Sequence, residues 1–248
     1  MSSSFPQQFW RSLRGWWREQ ASEKGAAAAT SLLVWKLWSF ARESTPERRR
    51  RRYGDMEYDW EHRVNTTSGS VSWHARLLGL FHSPYQPTEP ALFQEMMASL
   101  PIEFEKFTFI DLGSGKGRTL LMASEYPFRR IVGVELLPEL HQIAQANLAS
   151  YKSESQKCFA LEAVCGDATN FPFPAAPVVL YLFNPLPEAG LRQVLRNLER
   201  SPNTDSRTVY VVYHNPQLDS VLMESEAWTK LDNGTHQYCI YVFTGKSG

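Results

Sequence analysis

Asp111 lies two residues before Gly113-Ser114-Gly115-Lys116-Gly117, where the apolar run Phe107–Leu112 ends. Glycines at alternate positions permit a tight turn and let backbone approach a ligand closely. The helical pattern that follows, with Leu120, Leu121 and Ala123, adds the free N–H groups of a helix start. The spacing is G-x-G-x-G, not the G-x-G-x-x-G of dinucleotide binders. An acid at Asp111 would repel a pyrophosphate but suit a ligand with a cationic end. Glu135 closes the next apolar run, about twenty residues beyond the glycines, where an acid can accept from both hydroxyls of a ribose. Asp167, in Cys165-Gly166-Asp167-Ala168, stands where an acid can accept from an adenine amino group or cap the next turn. Asn184-Pro185-Leu186-Pro187 and His214-Asn215-Pro216 follow two further runs. His214 could serve as a general base on an ammonium or hydroxyl, or be held only by hydrogen bonds.

These residues share one kind of address, the carboxyl end of a strand. Strands are expected at Phe107–Leu112, Arg130–Glu135, Phe159–Val164, Val178–Phe183 and Thr208–Tyr213. Helices are expected at Gly117–Glu125, Pro138–Tyr151, Glu188–Arg200 and Gln217–Glu226. Such alternation implies a mostly parallel sheet covered on both faces, with ligands bound beyond the strand ends at the switch point. Trp228–Leu231 and Gln237–Phe243 flank Asn233-Gly234, a hairpin signal. Ahead of the core, Glu89 or Thr88 followed by Pro90 reads as a helix start, with the helix running over Ala91–Leu100.

The segments Phe-Ile-Asp-Leu-Gly-Ser-Gly-Lys-Gly-Arg (109–118), Gly133-Val134-Glu135 and Tyr181-Leu182-Phe183-Asn184-Pro185, with the terminal hairpin, resemble the class I S-adenosylmethionine (SAM)-dependent methyltransferases. They are most similar to a bacterial group without an assigned substrate. Tyr85-Gln86-Pro87-Thr88 ahead of them is similar in part to the non-SET protein lysine methyltransferases. The resemblance covers roughly Tyr85 to the end. It implies a Rossmann-like, mostly parallel seven-stranded sheet with a C-terminal antiparallel hairpin, preceded here by an N-terminal helical extension. It implies SAM as cofactor, held by Tyr85, Thr88, Asp111, Gly113, Ser114, Gly115, Gly117, Glu135, Asp167 and Ala168. Asn184 and Pro185 would face the methyl group, the Asn oxygen and the Asn-Pro carbonyl accepting from a target amine, with His214 as the possible base. The chain has Leu186-Pro187 where the amino-methyltransferases often carry Pro-aromatic, which speaks against a planar base or amide as acceptor. On Asn184-Pro185 and the Tyr85 segment, the resemblance implies an amine nitrogen as acceptor, with protein lysine as one form. A small-molecule acceptor, a SAM-binding scaffold without catalysis and, more remotely, a nicotinamide dehydrogenase are the other readings.

The chain has 248 residues and a formal net charge of zero, unevenly spread. Residues 1–52 hold 11 Lys/Arg against 4 Asp/Glu, so the rest carries an equal acidic excess. Three domains are expected: a basic, Trp-rich helical extension (1–52), a cap or lid segment (53–100) and the core (101–248). Ala26–Phe40 reads as a helix too short and too interrupted by Lys36 for a span. The Trp- and Arg-rich extension suits packing on the body or a second subunit, or peripheral contact with an anionic membrane surface. The run Arg48–Arg52 suits a solvated face, with phospholipid or nucleic acid as the minority reading. Cys158, Cys165 and Cys239 show neither disulfide nor metal spacing and read as small buried residues of a reducing compartment, hence the cytoplasm. No metal is expected.

Overall fold

The computed structural model describes residues 5–43, 56–67, 86–201, 207–231 and 235–244. Tyr85, the arginine run Arg48–Arg52 and the Asn233-Gly234 pair lie outside them. Strands β1 (Thr108–Leu112), β2 (Arg130–Glu135), β3 (Leu161–Cys165), β4 (Val178–Leu182), β5 (Val209–His214), β6 (Trp228–Leu231) and β7 (Tyr238–Phe243) form one sheet, in the order β3-β2-β1-β4-β5-β7-β6. The first five are parallel; β7 runs antiparallel to β5, and β6 antiparallel to β7. This is the seven-stranded class I sheet that the resemblance implied. β2 and β6 have the expected bounds, and the other strands shift by two residues at most.

Described helices are α1 (Phe5–Lys24), α2 (Ala26–Glu43), α3 (Met56–His62), α4 (Pro90–Ala98), α5 (Arg118–Ala123), α6 (Pro138–Ser150), α7 (Glu188–Glu199) and α8 (Asp219–Met223). α4 begins on Pro90 with Glu89 as its N-cap. α8 is far shorter than the expected Gln217–Glu226, because Ser225 starts the turn that carries Trp228 into β6.

All residues of β1, β4 and β5 are buried, as a sheet covered on both sides requires. On one face Ile110, Leu112, Leu180, Val211 and Tyr213 pack with Leu191, Leu195 and Leu198 of α7. On the other, Phe109, Val179, Tyr181 and Val212 pack with Phe93, Met96 and Met97 of α4 and with Leu120 of α5. Tyr181 and Tyr213 thus point to opposite faces. Cys158 and Cys239 are buried as expected, whereas Cys165 is exposed, since β3 is the edge strand and ends there.

The chain divides into two compact units, residues 1–56 with 67–86, and residues 57–66 with 87–248. The expected cap segment is therefore split, its residues 57–66 and 87–100 belonging to the core unit. In the first unit α1 and α2 form an antiparallel pair turned at Gly25, whose φ is +85°. Ala29 is fully buried, and Trp17 Nε1 reaches Thr30 Oγ1 at 3.5 Å. Among the described residues no helix is long and apolar enough to cross a membrane.

Candidate functional site

The glycine turn leaves β1 with Gly113, Gly115 and Gly117 all at positive φ, +82°, +55° and +81°. That is the left-handed region where a side chain is strained. Space excludes side chains as well. A Cβ on Gly113 would lie 2.6 Å from Pro185 Cβ, and one on Gly133 of β2 would lie 2.5 Å from Leu120 Cδ1 and 2.7 Å from Ser114 Oγ. The turn is thus wedged between the Asn184-Pro185 turn after β4 and the flank of β2.

Most N–H groups of the glycine turn itself are engaged within the protein. Gly113 and Ser114 both donate to the Val134 carbonyl, Gly117 donates to Ser114, and Gly115 N donates to Glu135 Oε2 at 2.8 Å. Leu137 N donates to Glu135 Oε1, also at 2.8 Å. Glu135 is thereby fixed at the end of β2, with one bond to each oxygen. Burial pushes its carboxyl pKa up, and the backbone N–H groups of Leu137, Gly115 and Leu136 oppose that. Arg130 pairs with Glu162 on β3.

Asp111 sits in register between Gly133 and Tyr181. It is buried and takes a short hydrogen bond from the Thr119 hydroxyl in the first turns of α5. Burial raises its pKa to about 7; the bond from Thr119 lowers it, and the nearby Glu135 charge raises it further. Two buried carboxylates without an ion-pair partner among the described residues suit a positive ligand. Ser114 Oγ is buried without a partner among the described residues.

After β3, Asp167 Oδ1 accepts from Thr169 N at 2.9 Å and from Thr169 Oγ1 at 2.7 Å, which caps a short 3-10 turn over Ala168–Asn170. The capping reading of Asp167 is therefore realised in this structure. Its side chain is exposed, and Ala168 is buried in the core beneath it.

Asn184 departs from the expected geometry. Its φ is +46°, and Asn215 after β5 matches it at +47°. The Asn184 amide bridges the two turns: Nδ2 donates to the Asn215 carbonyl at 2.6 Å, and Oδ1 accepts from Gln217 N at 3.3 Å. The side-chain oxygen expected to receive an acceptor amine is thus engaged in the protein. The Asn184 carbonyl receives no hydrogen bond among the described residues.

His214 is buried at the end of β5, its ring stacked on Phe183 with centroids 3.8 Å apart. Its Nδ1 lies 2.8 Å from Tyr181 Oη, and Tyr181 Oη lies 2.8 Å from Thr88 Oγ1. Burial lowers the His214 pKa to about 4. A ring this weakly basic is neutral at pH 7 and a poor acceptor of a proton from an ammonium. Thr88 fixes Tyr181 and through it His214.

One cluster escaped the sequence reading. Asn147 of α6 is buried, and its Nδ2 donates to the Lys116 carbonyl at 2.8 Å and to the Asn65 carbonyl at 3.0 Å. Its Oδ1 accepts from Asn65 N at 2.8 Å. Lys116 Nζ, fully buried, donates to Asn65 Oδ1 at 3.1 Å. Burial lowers the Lys116 pKa to about 8, against the raising effect of Asp59 and Glu139. Asp59 closes the strap 57–66 on itself by accepting from the Thr66 N–H and hydroxyl. Lys116, inside the glycine turn, is therefore tied to a strap some fifty residues upstream. The only sequence signal was a lysine inside the glycine turn. Among the described residues no group of His, Cys, Asp and Glu could hold a metal.

The family described as a methyltransferase domain matches residues 109–203. Among solved structures, the chain is similar to an RNA methyltransferase from Salinibacter ruber in complex with S-adenosyl-L-homocysteine, at 19% identity and a TM-score of 0.45, over 66% of this chain and 96% of that one. It is also similar to a ribosomal protein L11 methylase from Lactobacillus delbrueckii subsp. bulgaricus, at 14% identity and a TM-score of 0.43, over 66% of this chain and 80% of that one. No curated protein sequence matches it.

Proposed function

We propose that this chain, whose residues 109–203 match a methyltransferase domain, is a SAM-dependent methyltransferase and that it methylates an amine nitrogen, a protein lysine being the first acceptor to test. One observation carries the amine reading: Gly113 and Pro185 are in such contact that a Cβ at Gly113 would stand 2.6 Å from Pro185 Cβ. The Asn184-Pro185 turn is thus pressed against the turn expected to hold the methionine part of SAM. The Asn184 backbone carbonyl takes no hydrogen bond from the described residues, and a carbonyl can accept from an amine N–H and aim the nitrogen lone pair.

The residues present fit the cofactor. Three glycines make a cradle that side chains would fill, Ser114 has an unused buried hydroxyl, and Asp111 is a buried acid suited to an ammonium. Asp111, oriented by Thr119, would hold the amino end. Glu135, fixed by two backbone N–H groups, would offer its remaining lone pairs to the ribose. Asp167 would take the adenine amino group on the oxygen that is not capping. When bound, SAM supplies an electrophilic methyl group on a sulfonium. The protein's share is placement: in-line displacement gains most from holding nucleophile and methyl group in line. The Asn184 side chain braces the β4 and β5 turns so that its carbonyl stays in place. His214 acts as a positioning residue through Tyr181 and Phe183. The acceptor ammonium would shed a proton to water first; its lone pair would then form the C–N bond as the C–S bond breaks, the neutral thioether leaving, and the methylated amine would carry the remaining charge.

The test is transfer from methyl-tritiated SAM into a host-cell lysate, separated into protein, nucleic-acid and small-molecule fractions. Label in protein that co-migrates with methyl-lysine after hydrolysis is expected. Label in small molecules or nucleic acid overturns the lysine reading. Asn184→Ala should lose transfer while keeping SAM affinity.

A further inference from the structure

α1 carries Arg11, Arg14 and Arg18 on one exposed row, at i, i+3 and i+7. None of the three has a carboxylate partner among the described residues. At 100° per residue, Glu23 falls about 120° or more around the helix from each of the three. Trp10 stands in the same region, 55% exposed. α2 offers a complementary surface. Val34 (62%), Leu37 (40%) and Trp38 (56%) are large apolar side chains left in water.

The arginine row reaches α2 at Leu33. A shallow groove of about 200 Å³ is lined by Trp10, Arg14 and Arg18 from α1 and by Leu33 from α2. Leu37 lies one turn beyond Leu33, and Val34 and Trp38 follow on its exposed side. The Trp17–Thr30 hydrogen bond holds the helices in this register. Residues 1–52 are strongly basic within a chain of zero net charge, so the partner is anionic.

We infer that the α1–α2 hairpin is a docking surface for an anionic lipid bilayer, lying in the plane of the interface. Tryptophan rings sit at headgroup level, and arginines meet lipid phosphates. The aliphatic pair Val34 and Leu37 decides between anionic partners, because it needs hydrocarbon, which a nucleic-acid backbone does not provide. Neither helix is apolar enough to insert across the bilayer. This surface is independent of the methyl-transfer reading.

The experiment is co-sedimentation of the full chain with vesicles of phosphatidylcholine alone, or of phosphatidylcholine with phosphatidylserine, at low and high salt. Binding to the anionic vesicles only, weakened by salt, is expected. At about fivefold per arginine, replacing Arg11, Arg14 and Arg18 together by Gln should weaken it roughly 100-fold. Val34→Ser with Leu37→Ser should weaken it even at low salt. Retained S-adenosylhomocysteine binding shows that each variant is folded. No vesicle binding, or equal binding to both vesicle types, overturns the proposal. So does tighter binding to an RNA homopolymer than to vesicles, or vesicle-independent self-association that the Val34/Leu37 variant abolishes.

Discussion

Asp111 is the residue whose protonation most directly reports the site. Its pKa in the folded chain, about 7, lies above the ordinary 3.8. Over that window the folded state keeps a proton the unfolded chain has lost, so this group's contribution to stability is present at low pH and fades as pH rises through 7. The Tm of the ligand-free chain should therefore fall relative to Asp111→Asn between about pH 4 and pH 7, and differential scanning calorimetry at several pH values reads the difference. A constant difference would mean that Asp111 ionises freely. A cationic ligand favours the ionised form and should erase the trend. His214 has the opposite sign: its pKa falls from 6.5 to about 4, so its contribution is present above 6.5 and lost as pH drops through that window. Gly113 is constrained by both conformation and space. Gly113→Ala should cost about 1–3 kcal/mol and abolish cofactor binding by pushing Pro185 away. Unchanged urea unfolding would refute the tight contact between the two turns.

The strap over the glycine turn makes a claim about elements. Asn147 holds Lys116 and Asn65 in one buried network, and loss of one partner strands the others at about 1–3 kcal/mol. Asn147→Ala should raise KM for SAM more than it lowers kcat, because the turn that receives the cofactor is released while the Asn184 turn is untouched. Equal effects on both, or none, would confine Asn147 to stability. Such a network is hard to read from sequence, since Asn65 and Asn147 are 82 positions apart and each looks like an ordinary surface amide. Strand ends were easier. β1, β2, β4 and β5 are buried on both faces and announce themselves as apolar runs, and each change to Gly, Asp, Glu or Asn marks where the sheet stops. The sequence showed that Asp111, Glu135 and Asn184 stand at such ends but not how they are satisfied. Thr119, Gly115 and Asn215 are partners that only tertiary packing selects. The same limit applies to Thr88 and His214, which meet through Tyr181 from three separate segments.

At the scale of the whole molecule, charge and compactness divide the chain in related ways. The basic excess lies before residue 53, and the unit that contains α1 and α2 is distinct from the one that contains the sheet. Every proposed cofactor and acceptor residue among the described residues belongs to the second unit, including the strap residues 57–66. A domain with its own hydrophobic core can fold alone, and changes at sites without shared partners are close to additive. Deleting residues 1–43 removes both N-terminal helices and none of the sheet. The truncated chain should bind S-adenosylhomocysteine within about twofold of the full chain, by isothermal titration, if the two units are energetically separate. It should also lose all vesicle binding. If cofactor affinity falls much further while circular dichroism shows an intact α/β core, the helices help build the site, and the boundary would have to be drawn around the whole chain.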